Sequence, residues 1–454
     1  MRIIRHLFVL SGIGIVALTG FHLAASAQTY VASLEPRSST RDLTSRWPQI
    51  GRQHYSLADL SAMEPSLQQV ASRYVDPGRR DYAKMFAAGL EAVEHFCPEV
   101  LLRLDGDRLH VQVDRFSTVL TVAEFGDEAD LVAEARRVAQ ILEAQLPPGQ
   151  YALPEIEYAF TNGMLSTLDP HTMLLKPEAA KKMQEDNDGS FGGLGISIKM
   201  DNGELMIEYP MVGTPASKAG LKPADKIVKI EGEGTFNMDI EEAVSKMRGP
   251  AGTKVEITIM REGFDLPRDV EMVRAEIKPE AVWSELLDGD VGYVQLSSFH
   301  QMVDSQLETE MASLARKAGP GGLKGLVLDM RDNPGGYLDQ ARKVADKFLK
   351  SGVIVATVGS SGIDREEMKA SASGTEPAYP VAVLMSGNSA SAAEIVAGAL
   401  KNTERGVIIG ERSFGKGSVQ ELMDLPDGAR LKLTVRRYLT PGDHNIQEIG
   451  IPPD

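Results

Sequence analysis

Ser391-Ala392-Ala393-Glu394 and, further on, Phe414-Gly415-Lys416-Gly417-Ser418-Val419-Gln420 decide how this chain is read. The first stretch follows an apolar run, Val381 to Met385, and opens a helical pattern from Ala392 to Lys401. Ser391 therefore stands at the mouth of a strand–turn–helix unit. A helix start carries open N–H groups and the positive end of the dipole. That place suits a nucleophile whose attack creates an oxyanion. Ser-x-x-Glu is also the pattern of a capping box, in which Ser391 and Glu394 simply close the helix. Gly415-Lys416-Gly417 can equally be a turn that bears a solvated lysine.

The wider context separates these readings. The segment Gly387-Asn-Ser-Ala-Ser-Ala-Ala-Glu-Ile-Val-Ala-Gly-Ala-Leu400, followed by Gly410-Glu-Arg-Ser-Phe-Gly-Lys-Gly-Ser-Val-Gln420, resembles the signature of the carboxyl-terminal processing (tail-specific) proteases. Upstream, Leu328-Asp-Met-Arg-Asp-Asn-Pro-Gly-Gly336 resembles that family's oxyanion loop. Val291-Gly-Tyr-Val-Gln-Leu-Ser-Ser-Phe299 resembles its first core strand, and Phe191-Gly-Gly-Leu-Gly-Ile196 the start of its PDZ domain. The matches are collinear from about Leu153 to Asp454. The resemblance implies an α/β fold: a crotonase- or ClpP-like layered protease core with an inserted PDZ domain and a helical N-terminal region.

It also implies a site. Ser391 would be the nucleophile, Lys416 the general base and Gln420 its orienter. The backbone N–H of Ala392 and that of Gly335 or Gly336 would form the oxyanion hole; Pro334 itself has no N–H to give. The residue types fit this chemistry. A serine hydroxyl needs a base, and a lysine serves only when neutral, which burial favours. The glycines beside Lys416 let its stem pass close to other backbone. Gln420 lies four residues on, which on an extended strand is the same face. A neutral amide there orients the amine without stabilising its ammonium form. Ser386 and Ser389 do not start the helix and are weaker candidates. Glu394 reads as a cap, and Arg331 as an orderer of the oxyanion loop or a structural ion pair. His171, in Leu168-Asp169-Pro170-His171, reads as a polar junction residue, because no serine or acid nearby completes a triad with it.

Residues 189–277 read as the PDZ unit, with strands at Phe191–Met200, Leu205–Tyr209, Lys226–Ile230 and Val255–Arg261 and a helix at Met238–Met247. A PDZ domain adds a peptide tail as a strand beside its helix. Here the loop amides of Gly193, Leu194 and Gly195 would meet the tail carboxylate. Ile196, Ile240, Val244 and Met247 would line an apolar groove. Ala224 stands where the family commonly has glycine. From about 278 to 454, short apolar runs at Val291–Leu296, Gly325–Met330, Val353–Val358, Val381–Met385 and Val407–Ile409 alternate with helical patterns, the rhythm of a layered α/β core.

The remaining features give an address and a class. Arg2, Arg5 and His6 precede an uncharged run, and Ala25-Ser26-Ala27 offers a cleavage site, so residues 1–27 read as an export signal. Uncleaved, the same run would be a membrane anchor. A periplasmic or otherwise exported protein is expected, with 28–55 as a polar linker. Residues 56–188 read as helical, with an alternating hairpin at Leu101–Val122. The formal charge of −16 argues against nucleic acid as a partner. No His/Cys/Glu set has metal-ligand spacing, so neither metal nor cofactor is expected. Cys97, the single cysteine, reads as a buried, inert thiol. The expected activity is a serine endopeptidase acting on proteins with free, apolar C-termini, as a homo-oligomer, with an adaptor protein left open. The alternatives are a non-catalytic PDZ scaffold or chaperone of tails, and a crotonase-like acyl-transfer enzyme.

Overall fold

The computed structural model describes residues 55–360, 362 and 364–454. The expected export signal and all but the last residue of the linker lie outside them. The described chain is mixed α/β and falls into two compact units. One comprises Met183–Leu328 and Gly336–Gln340; the other comprises 55–182, Asp329–Gly335 and Ala341–Asp454.

In the second unit the helices Met63–Arg73, Tyr82–Phe96, Glu128–Gln145 and Leu153–Ser166 flank a three-stranded antiparallel meander, Val100–Asp105, Arg108–Val113 and Phe116–Thr121. Two of the helices start on aspartate caps: Asp81 accepts the Lys84 N–H at 3.0 Å, and Asp127 accepts the Ala129 N–H at 3.0 Å. Tyr82–Phe96 and Leu153–Ser166 meet through glycines. A Cβ on Gly163 would lie 2.5 Å from the Ala88 carbonyl oxygen, so only glycine permits this approach. The region does not keep a core to itself. Leu90, Leu109, Leu131 and Phe160 share one with Leu431, Leu433 and Val435 of the long strand Arg430–Thr440.

That strand organises an antiparallel sheet with Val353–Val358, Arg365–Lys369 and Ser418–Asp424, and Met173–Leu175 joins its side. The strand Val381–Met385, the helix Ala392–Asn402 and the strand Val407–Gly410 form a βαβ unit whose strands pair in parallel. The apolar runs expected at Val381–Met385, Val353–Val358 and Val291–Leu296 are strands with those same bounds. Ala392 to Leu400 are all buried. Burying Ile395, Val396 and Leu400 stabilises this helix by about 1.5–3 kcal/mol each.

In the first unit, Ile196–Asp201, Glu204–Pro210, Lys226–Ile230, Lys254–Met260 and Arg268–Val273 form one antiparallel sheet. The helix Ile240–Met247, capped by Asp239, packs on it through Ala243 and Met247. Phe191–Gly193 pairs with Ala275–Ile277 where the chain enters and leaves this sheet. Ala224 adopts φ 68°, the conformation glycine favours, and its N–H donates to the Ile207 carbonyl at 2.8 Å. The turn survives the alanine at a cost of about 1 kcal/mol. The hairpin Val282–Leu287/Val291–Leu296 and the helix Val303–Ala318 complete this unit.

Candidate active site

Ser391 is held in an unusual backbone conformation, φ 56° and ψ −115°. An ordinary N-cap serine is extended. A non-glycine residue here stores roughly 1–3 kcal/mol and persists only when its surroundings enforce it. The enforcing contacts are visible. Ala390 N–H donates to the Asn333 carbonyl at 2.9 Å, and Ser391 N–H donates to Glu394 Oε2 at 2.8 Å. Gly335, at φ 97°, lies so close that a Cβ there would sit 2.7 Å from the Ser391 Cβ and 2.9 Å from the Ala392 nitrogen. The neighbouring serines are engaged elsewhere. Buried Ser389 donates to the Met330 carbonyl at 2.8 Å, and Ser386 donates to Asp332 at 3.0 Å. Both pin the loop before the helix to the loop after Asp329.

Glu394 is fully buried and does more than cap. Its Oε2 accepts the N–H groups of Ser391 and Lys416, each at 2.8 Å. Its Oε1 accepts the Ser413 hydroxyl at 2.5 Å and the Gly415 N–H at 2.7 Å. One carboxylate thus fixes the main chain at both Ser391 and Lys416. Burial raises its pKa, and these four hydrogen bonds oppose that rise. The glycines flanking Lys416 are sterically required. A Cβ on Gly415 would meet the Gly450 nitrogen at 3.0 Å, and one on Gly417 would meet the Gln447 nitrogen at 2.8 Å.

The Lys416 amine is enclosed, and its pKa falls from 10.5 to about 7. Burial is the main cause and the positive charge of Lys432 the second; Glu394 and Asp169 pull the other way. Charged side chains from other parts of the chain therefore act on the amine. Lys432 is itself lowered by burial. Asp169 closes a turn, accepting from the Thr172 hydroxyl at 2.6 Å and the His171 N–H at 2.8 Å. The Thr434 hydroxyl donates to it at 3.2 Å. His171 is buried, and burial together with Lys416 and Lys432 pushes it down to about 4. It stays neutral above that pH. Sequence reasoning missed both Lys432 and Asp169 as neighbours of Lys416: Asp169 reads there only as part of the Leu168–His171 junction, and no local motif marks Lys432.

Gln420 donates its amide to the Ser418 hydroxyl at 2.9 Å and the Thr434 hydroxyl at 3.5 Å. Gln420 and Lys416 do not lie on one continuous strand: the strand starts at Ser418 and its register shifts between Val419 and Gln420, so even spacing does not put the two on one face. In the oxyanion loop, the Gly335 N–H donates to Asn333 Oδ1 at 2.8 Å. The Ala392 N–H has no partner among the described residues. Arg331 forms a two-pronged pair with buried Asp329 (2.6 and 2.9 Å), an ion pair within its own loop.

Peptidase family S41 matches residues 290–454, and a PDZ domain matches residues 206–261. A carboxy-terminal-processing protease of Bartonella bacilliformis is 45% identical over 293 residues, covering 64% of this chain and 67% of that protein. A carboxyl-terminal-processing protease of Synechocystis sp. is 36% identical over 307 residues, covering 66% and 70%. The chain belongs to the carboxyl-terminal processing proteases. As a member of that family it is a serine-type peptidase with a PDZ domain. Among solved structures, the photosystem II D1 C-terminal processing protease has 26% identity and a TM-score of 0.46, covering 88% of this chain and 92% of its own.

In the PDZ domain of this carboxyl-terminal processing protease, Gly193 is in the ladder with Ala275, and Leu194 is buried with its carbonyl accepting the Ala216 N–H at 3.0 Å. Gly195 takes φ 73°, and a Cβ there would lie 2.4 Å from Thr214. Ile196 starts the next strand. Ile240 and Val244 are half-buried on the helix, whereas Met247 is 6% exposed and belongs to the domain's core. Ile240 and Val244 are thus better placed than Met247 to meet a peptide. No group of three His, Cys, Asp or Glu residues could hold a metal among the described residues, and no described helix is long and apolar enough to cross a membrane.

Proposed function

We propose that this chain is an exported endopeptidase that takes protein C-termini into its PDZ domain and cuts with a Ser391–Lys416 dyad. One observation carries the reading: the backbone of strained Ser391 and the backbone of Lys416 hang on the same buried Glu394 carboxylate. A capping serine and a turn lysine have no reason to share an anchor. In the proposed reaction, neutral Lys416 takes the Ser391 proton as Oγ attacks the scissile carbonyl. The Ala392 N–H receives the developing oxyanion. The second donor is Gly335, once it exchanges its bond to Asn333, or Gly336. The Lys416 ammonium then protonates the leaving amine, and water hydrolyses the acyl-enzyme by the same relay. Gln420 would orient the amine through its carbonyl oxygen.

The decisive comparison is wild type against Ser391→Ala on one unfolded protein substrate, with the new termini read by mass spectrometry. The expected result is complete loss of cleavage with the fold kept. Loss of a mere cap would cost about 0.5–2 kcal/mol of stability and leave cleavage intact.

A further inference from the structure

Every polar group of the main chain from Gly415 to Gly417 is held. The Gly415 and Lys416 N–H groups donate to Glu394 at 2.7 and 2.8 Å. The Gly415 carbonyl accepts the Glu448 N–H at 2.8 Å, and the Gly417 carbonyl accepts the Tyr438 N–H at 2.9 Å. The Tyr438 hydroxyl donates to the Lys416 carbonyl. The last group is the Gly417 N–H, which donates to Gln447 Oε1 at 2.9 Å. Gly417 immediately precedes Ser418–Asp424, an outermost strand of its sheet among the described residues, and a side-chain oxygen stands here in place of a ladder carbonyl. Only the oxygen of an amide can accept, so this bond also fixes which way the Gln447 amide is turned.

We infer that Gln447 is a positioning residue for the base: its amide oxygen sets the main chain just after Lys416, and with it the aim of the Lys416 amine at Ser391. The inference rests on the Ser391–Lys416 reading. Glu394 anchors this turn at the N–H groups of Gly415 and Lys416, and Gln447 anchors it at the next one. Without the second anchor the Gly417 peptide is free to turn on the soft dihedrals of glycine, and the root of the lysine side chain turns with it. The residue type fits the task. A glutamine accepts the bond without bringing charge, whereas a carboxylate would add an anion to that of Glu394 and favour the ammonium form of the base. Gln447 is itself fixed. Its N–H donates to Asn445 Oδ1 at 3.0 Å, and a Cβ on Gly417 would lie 3.2 Å from the Gln447 Cβ. Its contribution is preorganisation, and small misplacements in such sites cost up to about a hundredfold in rate.

The test uses the full chain, with Ser391→Ala as a control. Gln447→Met keeps the reach of the side chain and removes the acceptor. It should lower kcat on the high-pH plateau by on the order of tenfold or more with KM unchanged. A fluorophosphonate should label Ser391 more slowly by a similar factor. Gln447→Glu keeps an acceptor at the same reach and should bring both plateau kcat and labelling back near wild type; the plateau is read because Lys416 is neutral there whatever the added charge does to its ionisation. A structural role alone would lower the melting temperature and leave the plateau kcat and labelling of the folded protein as they are. Wild-type kcat and labelling in Gln447→Met overturn the inference, and so does a plateau in Gln447→Glu as low as that of Gln447→Met. If Gln447→Met does not fold, Gln447→Ala takes its place with the same expected results. Activity retained in Ser391→Ala would instead defeat the dyad reading itself.

Discussion

The rate of cleavage should rise with pH through a single ionisation centred near 7, and that ionisation should belong to Lys416. Burial and Lys432 bring the amine from 10.5 to about 7 against the opposing pull of Glu394 and Asp169. At pH 7 about half of the molecules then carry a neutral base. An unshifted lysine would be neutral in roughly one molecule in three thousand. The enclosure is thus worth about three orders of magnitude in competent enzyme. Activity should fall to about a tenth of its plateau at pH 6 and reach about nine-tenths at pH 8. Stability should move in the same direction. The folded pKa lies below the unfolded one, so between about 7 and 10.5 the unfolded chain binds the extra proton and stability rises with pH. The whole span comes to at most about 5 kcal/mol. The assay is kcat/KM on one substrate from pH 5.5 to 9.5, for wild type, Lys416→Arg and His171→Ala. Lys416→Arg should be inactive, because arginine stays charged. His171→Ala should keep the midpoint, since His171 titrates near 4, outside this range. A midpoint above pH 9, activity in Lys416→Arg, or disappearance of the inflection in His171→Ala would refute the reasoning.

Two further outcomes follow from the same geometry. Glu394→Ala strands four donors that now share one carboxylate, so unfolding should cost at least about 3 kcal/mol less than in wild type, with cleavage lost; a urea titration beside the activity assay checks both. A substrate whose C-terminus is amidated should be cut more slowly than the same chain with a free carboxylate, because PDZ domains take the tail carboxylate on loop amides; equal rates would remove tail selection.

Much of the architecture was legible in the sequence because its signals are local. The apolar run Val381–Met385 and the helical spacing from Ala392 put a serine at a strand–helix junction, and side-chain period is a property of neighbouring residues. The family signature around Ser391 and Lys416 supplied what periodicity alone does not. The strand Arg430–Thr440 escaped that reading. It carries Lys432, Arg436 and Arg437, and its run of buried residues from Leu433 to Val435 breaks alternation, because it is packed from different sides along its length. The environment of the proposed dyad came from the fold. Ser391 takes a positive φ because Gly335, Asn333 and Glu394 close around it. The Lys416 amine comes down to about 7 because burial and the positive charge of Lys432 outweigh the opposing pull of Glu394 and Asp169, groups brought to it from distant parts of the chain. Desolvation and electrostatic fields depend on what the fold brings within a few ångströms. The sequence by itself determined which residues were available, and the tertiary structure alone decided their charge state and aim.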